Sequence, residues 1–109
     1  MRQPEKSIFI EFIGDSPQTR ILDYLMTERE FDFSKTDMAR NAGVGRATLY
    51  RLWAKLIEKS IIVPTRKIGK SQLYKLNKDN PKIQILMKID DMLIMDDLKK
   101  RAKLEKIKS

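Results

Sequence analysis

The 109-residue chain contains neither cysteine nor histidine. Without them it cannot form disulfide bonds, thiolate zinc sites, cysteine nucleophiles or histidine general bases. Its four glycines are scattered, so no glycine-rich phosphate-binding loop is present. Asp, Glu, Lys and Tyr remain for acid–base chemistry, but the usual catalytic constellations are missing. We therefore predict a protein that is not an enzyme and that carries no metal and no other cofactor.

Long hydrophobic runs are also missing. The apolar run nearest the N-terminus, Ile8–Ile13, is too short for the core of a signal peptide and far too short to cross a bilayer. We therefore expect a soluble, cytoplasmic protein with no membrane partner. Because the run is β-branched and aromatic and ends at Gly14, it predicts a short strand within an N-terminal arm, residues 1–14.

Positive charge is concentrated in the middle of the chain. The whole sequence has 23 Lys+Arg against 15 Asp+Glu, a formal net charge of +8. Residues 1–33 carry a net −3, with four basic and seven acidic side chains, whereas residues 34–80 carry +8, with eleven against three. Residues 81–109 carry +3, with eight against five. A polyanionic partner would therefore be attracted first to the central block.

The first third of the chain predicts one helix and one short strand. Ser16 followed by Pro17 is typical of a helix start, and the helix should run to about Glu28. Residues 31–33 place two phenylalanines two positions apart, which predicts a short strand with one buried face.

A short helix, a glycine turn and a longer helix follow. Ser34 predicts the cap of the short helix, and Asp37 three residues later completes a capping box. Gly43 suits the turn because glycine accepts the left-handed conformation. The longer helix is predicted over residues 46–59. Its apolar residues fall on one face: Leu49, Leu52, Trp53, Leu56 and Ile57.

This order of elements is a helix-turn-helix pattern. In that motif the second helix lies in the major groove of DNA, and its N-terminal residues meet base edges. An Arg there can bond bidentately to guanine, while hydroxyl and Lys side chains near the helix ends suit phosphates. The motif predicts these DNA contacts: Ser34, Lys35, Thr36, Arg46, Ala47, Thr48, Tyr50, Arg51 and Lys55.

A basic hairpin is predicted next. Residues 61–66 and 71–76 read as two strands joined by a turn near Gly69. Pro64 cannot donate a ladder hydrogen bond, so its strand should lie at an edge. Basic side chains cluster at the predicted tip and complete the expected DNA contacts: Arg66, Lys67 and Lys70.

The C-terminal part predicts a helix with two apolar sides. Asn80 and Pro81 mark its start, and residues 83–98 carry an apolar surplus that needs a second surface to pack on. The pairs Asp90–Asp91 and Asp96–Asp97 are interpreted as solvated helix face rather than metal ligands, and residues 99–109 as a fraying basic tail. The wider apolar stripe is the predicted dimerisation surface: Ile85, Leu86, Ile89, Met92 and Leu93. The second stripe contains Ile83, Met87, Ile94 and Leu98.

The segment from about Pro17 to Leu76 resembles the winged helix-turn-helix family of small archaeal and bacterial transcription regulators. The resemblance rests on residues 35–51, on the downstream Leu52, Trp53 and Leu56, and on the hairpin of residues 62–76. It implies that the helix beginning at Gly45 is the recognition helix and that the hairpin is the wing. The expected fold class is mainly α with a small β-hairpin wing (α+β), followed by a C-terminal dimerisation helix. The expected division is an arm (1–14), a DNA-binding domain (15–78), the dimerisation helix (79–98) and the tail (99–109).

The resemblance implies a homodimeric, sequence-specific transcription regulator that binds double-stranded DNA and is associated with the nucleoid. The residues identify no small-molecule effector. Two alternatives remain open: an architectural or plasmid or virus replication and partition protein with mainly phosphate contacts, and a winged helix used only for protein interaction. The recognition helix offers few polar base readers, since Ala47 and Ala54 can contact only thymine methyl groups.

Overall fold

The structure, a computed structural model, describes residues 7–108. Residues 1–6 of the expected arm and Ser109 of the expected tail lie outside the described residues. Within residues 7–108, five helices and three strands follow one another: α1 (Ile8–Ile13), α2 (Pro17–Thr27), β1 (Phe33–Ser34), α3 (Lys35–Asn41), α4 (Arg46–Glu58), β2 (Ile62–Ile68), β3 (Ser71–Leu76) and α5 (Pro81–Lys108). The molecule is therefore mainly helical with a small antiparallel sheet, which confirms the predicted fold class.

The predicted helix starts are confirmed. At α2 the Ser16 hydroxyl accepts a hydrogen bond from the Thr19 amide, 3.1 Å away, and Pro17 is the first helical residue. At α3 both halves of the capping box are present between Ser34 and Asp37. Each cap satisfies an amide that the helix itself cannot, so α2 and α3 begin where the sequence places them.

The prediction of a strand at residues 8–13 is wrong, because this segment forms the helix α1. The Ser7 hydroxyl caps it by accepting from the Ile10 amide at 3.1 Å, and the Gly14 amide closes it on the Ile10 carbonyl at 2.8 Å. Phe9 and Ile10 are buried while Phe12 is exposed. A short apolar run does not distinguish a strand from a helix by periodicity. Here the burial of Phe9 and Ile10 against the core favours the helix.

The sheet has the order β1-β3-β2, with β3 in the centre and all pairs antiparallel. Ile68 pairs with Ser71, so β2 and β3 are joined by the two-residue turn Gly69 and Lys70. Gly69 has φ +61°, which fits a turn with glycine at its first central position. Pro64 lies on β2 at an edge, as predicted.

One core holds α1 to α4, the sheet and the start of α5 together. Its most completely buried large side chains are Phe9, Ile21, Leu25, Met38, Leu49 and Ile62. The predicted face of α4 is confirmed for Leu49, Leu52, Trp53 and Leu56, but Ile57 is 41% exposed and does not belong to it. Ile57 lies at the margin of the predicted apolar arc, next to the side of the helix that faces solvent.

The C-terminal helix is longer than predicted. α5 is a single helix of 28 residues that continues through Lys108, so the expectation that residues 99–109 fray into a tail is wrong for the part that the structure describes. Two ion pairs with i,i+4 spacing support the distal turns: Asp96 with Lys100 at 3.2 Å and Asp97 with Arg101 at 2.8 Å. An acidic side chain four residues before a basic one is the favourable order on a helix.

Asp90 is buried, which corrects its interpretation as part of a solvated face. It is 6% exposed, and the Arg29 guanidinium at the end of α2 donates to its carboxylate at 2.9 Å and to Asp91 at 2.8 Å. Burial raises the pKa of Asp90 above its ordinary value, while the hydrogen bond from Arg29 opposes that rise. Arg29 is therefore the partner that allows a carboxylate to sit inside the joint between α2 and α5.

Replacing Arg29 by Ala should lower the free energy of unfolding by about 2 kcal/mol at pH 7, because the buried carboxylate loses its charged hydrogen-bond donor. The pKa of Asp90 then rises further in the folded state, so the native protein binds its proton more tightly than the unfolded chain does. Stability of the variant relative to the original should therefore recover as the pH falls towards about 4. Urea unfolding at pH 7 and pH 4.5 measures the difference.

Glu30→Gln provides the control, since it breaks an exposed ion pair with Lys78 and should leave the urea midpoint unchanged at both pH values. An equal loss for Arg29→Ala at both pH values would show that Asp90 is not the group responsible.

Candidate nucleic-acid interface

The outer side of α4 carries exposed cationic side chains. Burial of the apolar face turns the rest of the helix to solvent, and six of the twelve predicted contact residues belong to α4. Within residues 7–108, Arg46, Arg51 and Lys55 take part in no ion pair. The exposed members of the predicted set on α4 are Arg46, Ala47, Tyr50, Arg51 and Lys55, and Thr48 is half-buried.

The turn before α4 is held by a residue that sequence reasoning missed. Gly43 has φ +72°, as its role in the turn requires. The Arg20 guanidinium donates to the Gly43 carbonyl at 3.0 Å and forms two hydrogen bonds with the Asp15 carboxylate, at 2.7 and 2.9 Å. Arg20 thereby ties α2 to the turn and fixes the position at which α4 begins. No local pattern marks this contact, because its partners are 5 and 23 residues away.

Lys35 lies over two aromatic rings. Its Nζ is 4.2 Å from the centre of the Tyr50 ring and 5.4 Å from that of Trp53, both within cation–π range. Trp53 in turn meets Tyr74 of β3 edge to face, with ring centres 5.1 Å apart. The beginning of α3, the middle of α4 and the wing are thus joined through one aromatic group. The predicted contacts Lys35 and Tyr50 are neighbours in it.

The other two predicted contacts on α3 differ in availability. Ser34 is half-buried and its hydroxyl accepts from the Asp37 amide at 3.0 Å, so this oxygen already serves as the helix cap. Thr36 is exposed. Whether either residue touches DNA stays a prediction.

The wing carries its free positive charge on Lys67 and Lys70. Both are exposed and form no ion pair within the described residues, and Lys70 is in the turn itself. Arg66, by contrast, does not cluster with them at the tip. It lies in an irregular step of β2 between Pro64 and Lys67, where its Nε donates to Asp32 at 2.8 Å. The step inserts one extra residue into β2, and such bulges redirect side chains.

Asp32 neutralises Arg66. The carboxylate also accepts from the Thr65 hydroxyl at 3.1 Å. The hydrogen bond from Arg66 lowers the pKa of Asp32 below its ordinary value, so the pair stays charged at neutral pH. In the free protein the wing therefore offers two lysines and one paired arginine, rather than the three free cations expected from the sequence.

The five predicted dimerisation residues differ in exposure. Leu86 and Leu93 pack against the chain's own core, Ile89 is half-buried, and Ile85 and Met92 are 59% and 72% exposed. Of the second apolar stripe, Ile83 is buried in the core. Further large apolar side chains are exposed on α1 and on the distal part of α5: Phe12, Ile13, Ile94, Met95, Leu98, Leu104 and Ile107.

No group of three or more Asp and Glu side chains within residues 7–108 is arranged to hold a metal ion. None of the helices in the described part combines the length and apolarity needed to cross a membrane.

Comparison with known proteins gives similarity in structure but not in sequence. No protein-family profile matches the chain, and no curated protein matches it. A mutant of ZitR from Lactococcus lactis in its apo form superposes with a TM-score of 0.60 at 17% identity, covering 89% of this chain and 73% of that one. MepR, a transcription regulator of the Staphylococcus aureus multidrug efflux pump MepA, gives 0.57 at 18% identity, covering 90% and 80%.

NadR in complex with 4-hydroxyphenylacetate gives a TM-score of 0.59 at 18% identity, covering 93% of this chain and 74% of that one. At these identities the likeness concerns the fold. The chain has the winged helix-turn-helix fold of these proteins, with α4 in the position of the second helix of the motif and β2–β3 as its wing.

Proposed function

We propose that the protein is a dimeric transcription regulator that binds double-stranded DNA with α4 in the major groove and the wing on the flanking backbone. The observation that carries the proposal is the outer side of α4, where Arg46, Arg51 and Lys55 are exposed and unpaired within the described residues. Unpaired cations on a surface helix of this fold suit phosphates and base edges. Residues 15–78 form the proposed DNA-binding unit.

Base reading is assigned to the N-terminal half of α4. Arg51 can bond bidentately to guanine, and Ala47 allows the helix to approach a thymine methyl group. Lys35, Lys67 and Lys70 are assigned to phosphates, where they position the protein without reading sequence. The Lys35 ammonium lies over the Tyr50 ring, and this contact holds the ring in one orientation on the surface of α4.

Dimerisation is assigned to the exposed apolar side chains of α1 and α5. Monomeric proteins seldom leave so many large apolar side chains in solvent on neighbouring elements. Ile85 and Met92 lie on a side of α5 that the core does not cover, and Phe12 is a further exposed apolar side chain on α1. A two-fold pair of chains would bind half-sites separated by about 34 Å, one turn of DNA.

A second candidate is an architectural DNA-binding protein with mainly phosphate contacts. It is favoured by Ala47 and Ala54 on the outer side of α4, which leave few polar groups to read bases. The two candidates differ in one measurable ratio. A regulator binds its site about 10³-fold or more tightly than random DNA, whereas an architectural protein does not. Selection of bound fragments from random DNA, followed by footprinting, measures this ratio.

The double substitution Arg46→Ala and Arg51→Ala should weaken binding to a selected DNA site by about tenfold or more, since one good bidentate contact contributes about 1–3 kcal/mol. Fluorescence anisotropy with labelled duplex measures the change. Lys88→Ala, an exposed lysine of α5, serves as the matched control. Unchanged affinity of the double variant would favour a winged helix used for protein interaction.

Lys70→Ala should weaken binding to selected and random DNA alike. It removes one phosphate contact, so the slope of log K against log salt concentration should decrease by about one unit. Anisotropy titrations between about 50 and 200 mM salt, over which the Debye length falls about twofold, measure this slope. A selective loss for one base step would instead assign Lys70 to base reading.

Met92→Glu should disrupt the dimer. A buried Met contributes about 1.5–3 kcal/mol in apolar burial, and two-fold symmetry applies the loss twice, so the dissociation constant should rise at least about a hundredfold. Light scattering at micromolar concentration measures the mass. Ile68→Glu on the wing, 58% exposed, is the matched control and should leave the mass unchanged. If the unsubstituted protein has the mass of a monomer, the proposal of a dimer is wrong.

A further inference from the structure

Arg66 of the wing is held by a carboxylate that lies outside the wing. Residues 62–76, which form β2, the turn and β3, contain no Asp or Glu. The partner is Asp32, the residue before β1, which is 34 positions away in the chain. Because β3 separates β1 from β2 in the sheet, the contact between Asp32 and Arg66 spans the central strand. The ion pair therefore depends on the whole fold and not on the hairpin alone.

The geometry of the pair leaves Arg66 little to offer a phosphate. Its Nε donates to one carboxylate oxygen of Asp32 at 2.8 Å, and its Nη2 donates to the other at 3.4 Å. This two-point contact occupies an edge of the guanidinium that also suits a phosphate. A cation that stays paired with a carboxylate neutralises no phosphate, so it releases no counterion from DNA.

The carboxylate is held more firmly than the guanidinium. The side chain of Asp32 is 22% exposed and also accepts from the Thr65 hydroxyl at 3.1 Å, whereas the side chain of Arg66 is 64% exposed. The backbone of Arg66 is fixed as well, because the side-chain amide of Gln72 donates to its carbonyl at 3.1 Å. An exchange of partners would therefore involve the side chain of Arg66, while Asp32 and the strand stay in place.

Arg66 lies where such an exchange can take place. It precedes Lys67, so the Cα atoms of the two residues are about 3.8 Å apart, and both side chains are exposed. A DNA duplex carries one negative charge per about 1.7 Å of its axis, so a backbone that meets Lys67 also brings phosphates close to Arg66. Since an exposed ion pair is weak, these phosphates and Asp32 attract the guanidinium on similar terms.

We propose that Asp32 competes with the DNA backbone for Arg66 and thereby lowers the affinity of the wing for any duplex. This inference rests on the proposed function, in which the wing lies on the flanking backbone. Asp32 is then a positioning residue that acts through Arg66 without touching DNA. Because phosphate contacts carry no sequence information, it should weaken binding to selected and random sequences alike. Its main effect should be faster dissociation, where most affinity differences within one interface lie.

The substitution Asp32→Asn tests the competition, because the amide keeps the shape of the side chain and removes its charge. The affinity for random duplex should rise about two- to fivefold per bound chain, as expected for release of a surface ion pair. The slope of log K against log salt concentration should steepen by about one unit per bound chain. Fluorescence anisotropy of the full chain with labelled duplex measures both. Asp32→Ser removes the same charge with a different side chain and should have the same effect.

The double variant Asp32→Asn with Arg66→Ala separates the release of Arg66 from the loss of negative charge. It removes both charges of the pair, so its affinity should stay within about twofold of that of the original protein. Glu30→Gln is the matched control, because it also removes one negative charge and frees a lysine, Lys78. Lys78 follows β3 at the end of the hairpin away from the turn, so the affinity for DNA should not change.

If neither substitution of Asp32 tightens binding, the proposal is wrong. Weaker binding of both variants would show instead that Asp32 holds Arg66 in place for a DNA contact. A gain that persists in the double variant, or that Glu30→Gln reproduces, would assign the effect to net charge and would also overturn the proposal. So would a double variant that binds clearly more weakly than the original protein, because Arg66 would then already contact DNA.

The same titrations separate this inference from the proposed function. An original protein that binds no duplex at about 50 mM salt, where phosphate contacts are strong, would refute the proposed function itself. Binding by the original protein without a gain in the two variants of Asp32 would refute the role of Asp32 alone.

Discussion

The architecture of the candidate interface depends on the burial of one face of α4. Leu49, Leu52, Trp53 and Leu56 are each at most 7% exposed, and burying a side chain of this size contributes about 1.5–3 kcal/mol. With these four side chains buried, the residues on the opposite face of the helix must be exposed. The cations of α4 are therefore outside because the apolar residues are inside, and the interface is a consequence of the core.

Both ends of α4 are fixed by polar contacts. Arg20 holds the turn before it through the Gly43 carbonyl at 3.0 Å. At the other end the Ser60 and Ile61 amides close on the carbonyls of the last turn, at 3.0 and 2.9 Å, with Ser60 at φ +55°. These are the two bonds of a Schellman motif. A helix anchored at both ends and along one face is a rigid element on which binding residues keep their geometry.

Local signals in the sequence were sufficient for most elements. Ser16, Ser34 and Gly43 each act through neighbours within a few residues, so α2, α3 and the turn were predictable. The strand predicted for residues 8–13 failed because its periodicity is ambiguous and tertiary packing decided. Contacts between distant residues were invisible for the same reason: the pairing of Arg29 with Asp90 spans 61 positions and that of Arg66 with Asp32 spans 34.

The candidate site shows the same division. The residues on the outer side of α4 followed from helical periodicity, which is local. Whether each cation is paired did not follow from the sequence, because it depends on which carboxylates contact the cation in the fold. Asp32 removes Arg66 from the free cations, and Lys35 lies over two rings rather than extending into solvent. Sequence patterns place charges on a surface, but the available charge is known only after the partners are counted.

The length of α5 has a mechanical consequence. Its 28 residues extend about 42 Å, and Arg29 forms an ion pair with Asp90 in the first half of the helix. A long helix amplifies rotation: the part beyond Asp90 extends about 27 Å, so a tilt of about 10° there would move its far end by about 5 Å, or roughly one and a half base-pair steps. In the proposed two-fold assembly, the separation of the two recognition helices would depend on the angle between α5 and the core. The ion pair between Arg29 and Asp90 would therefore help to set the spacing between half-sites.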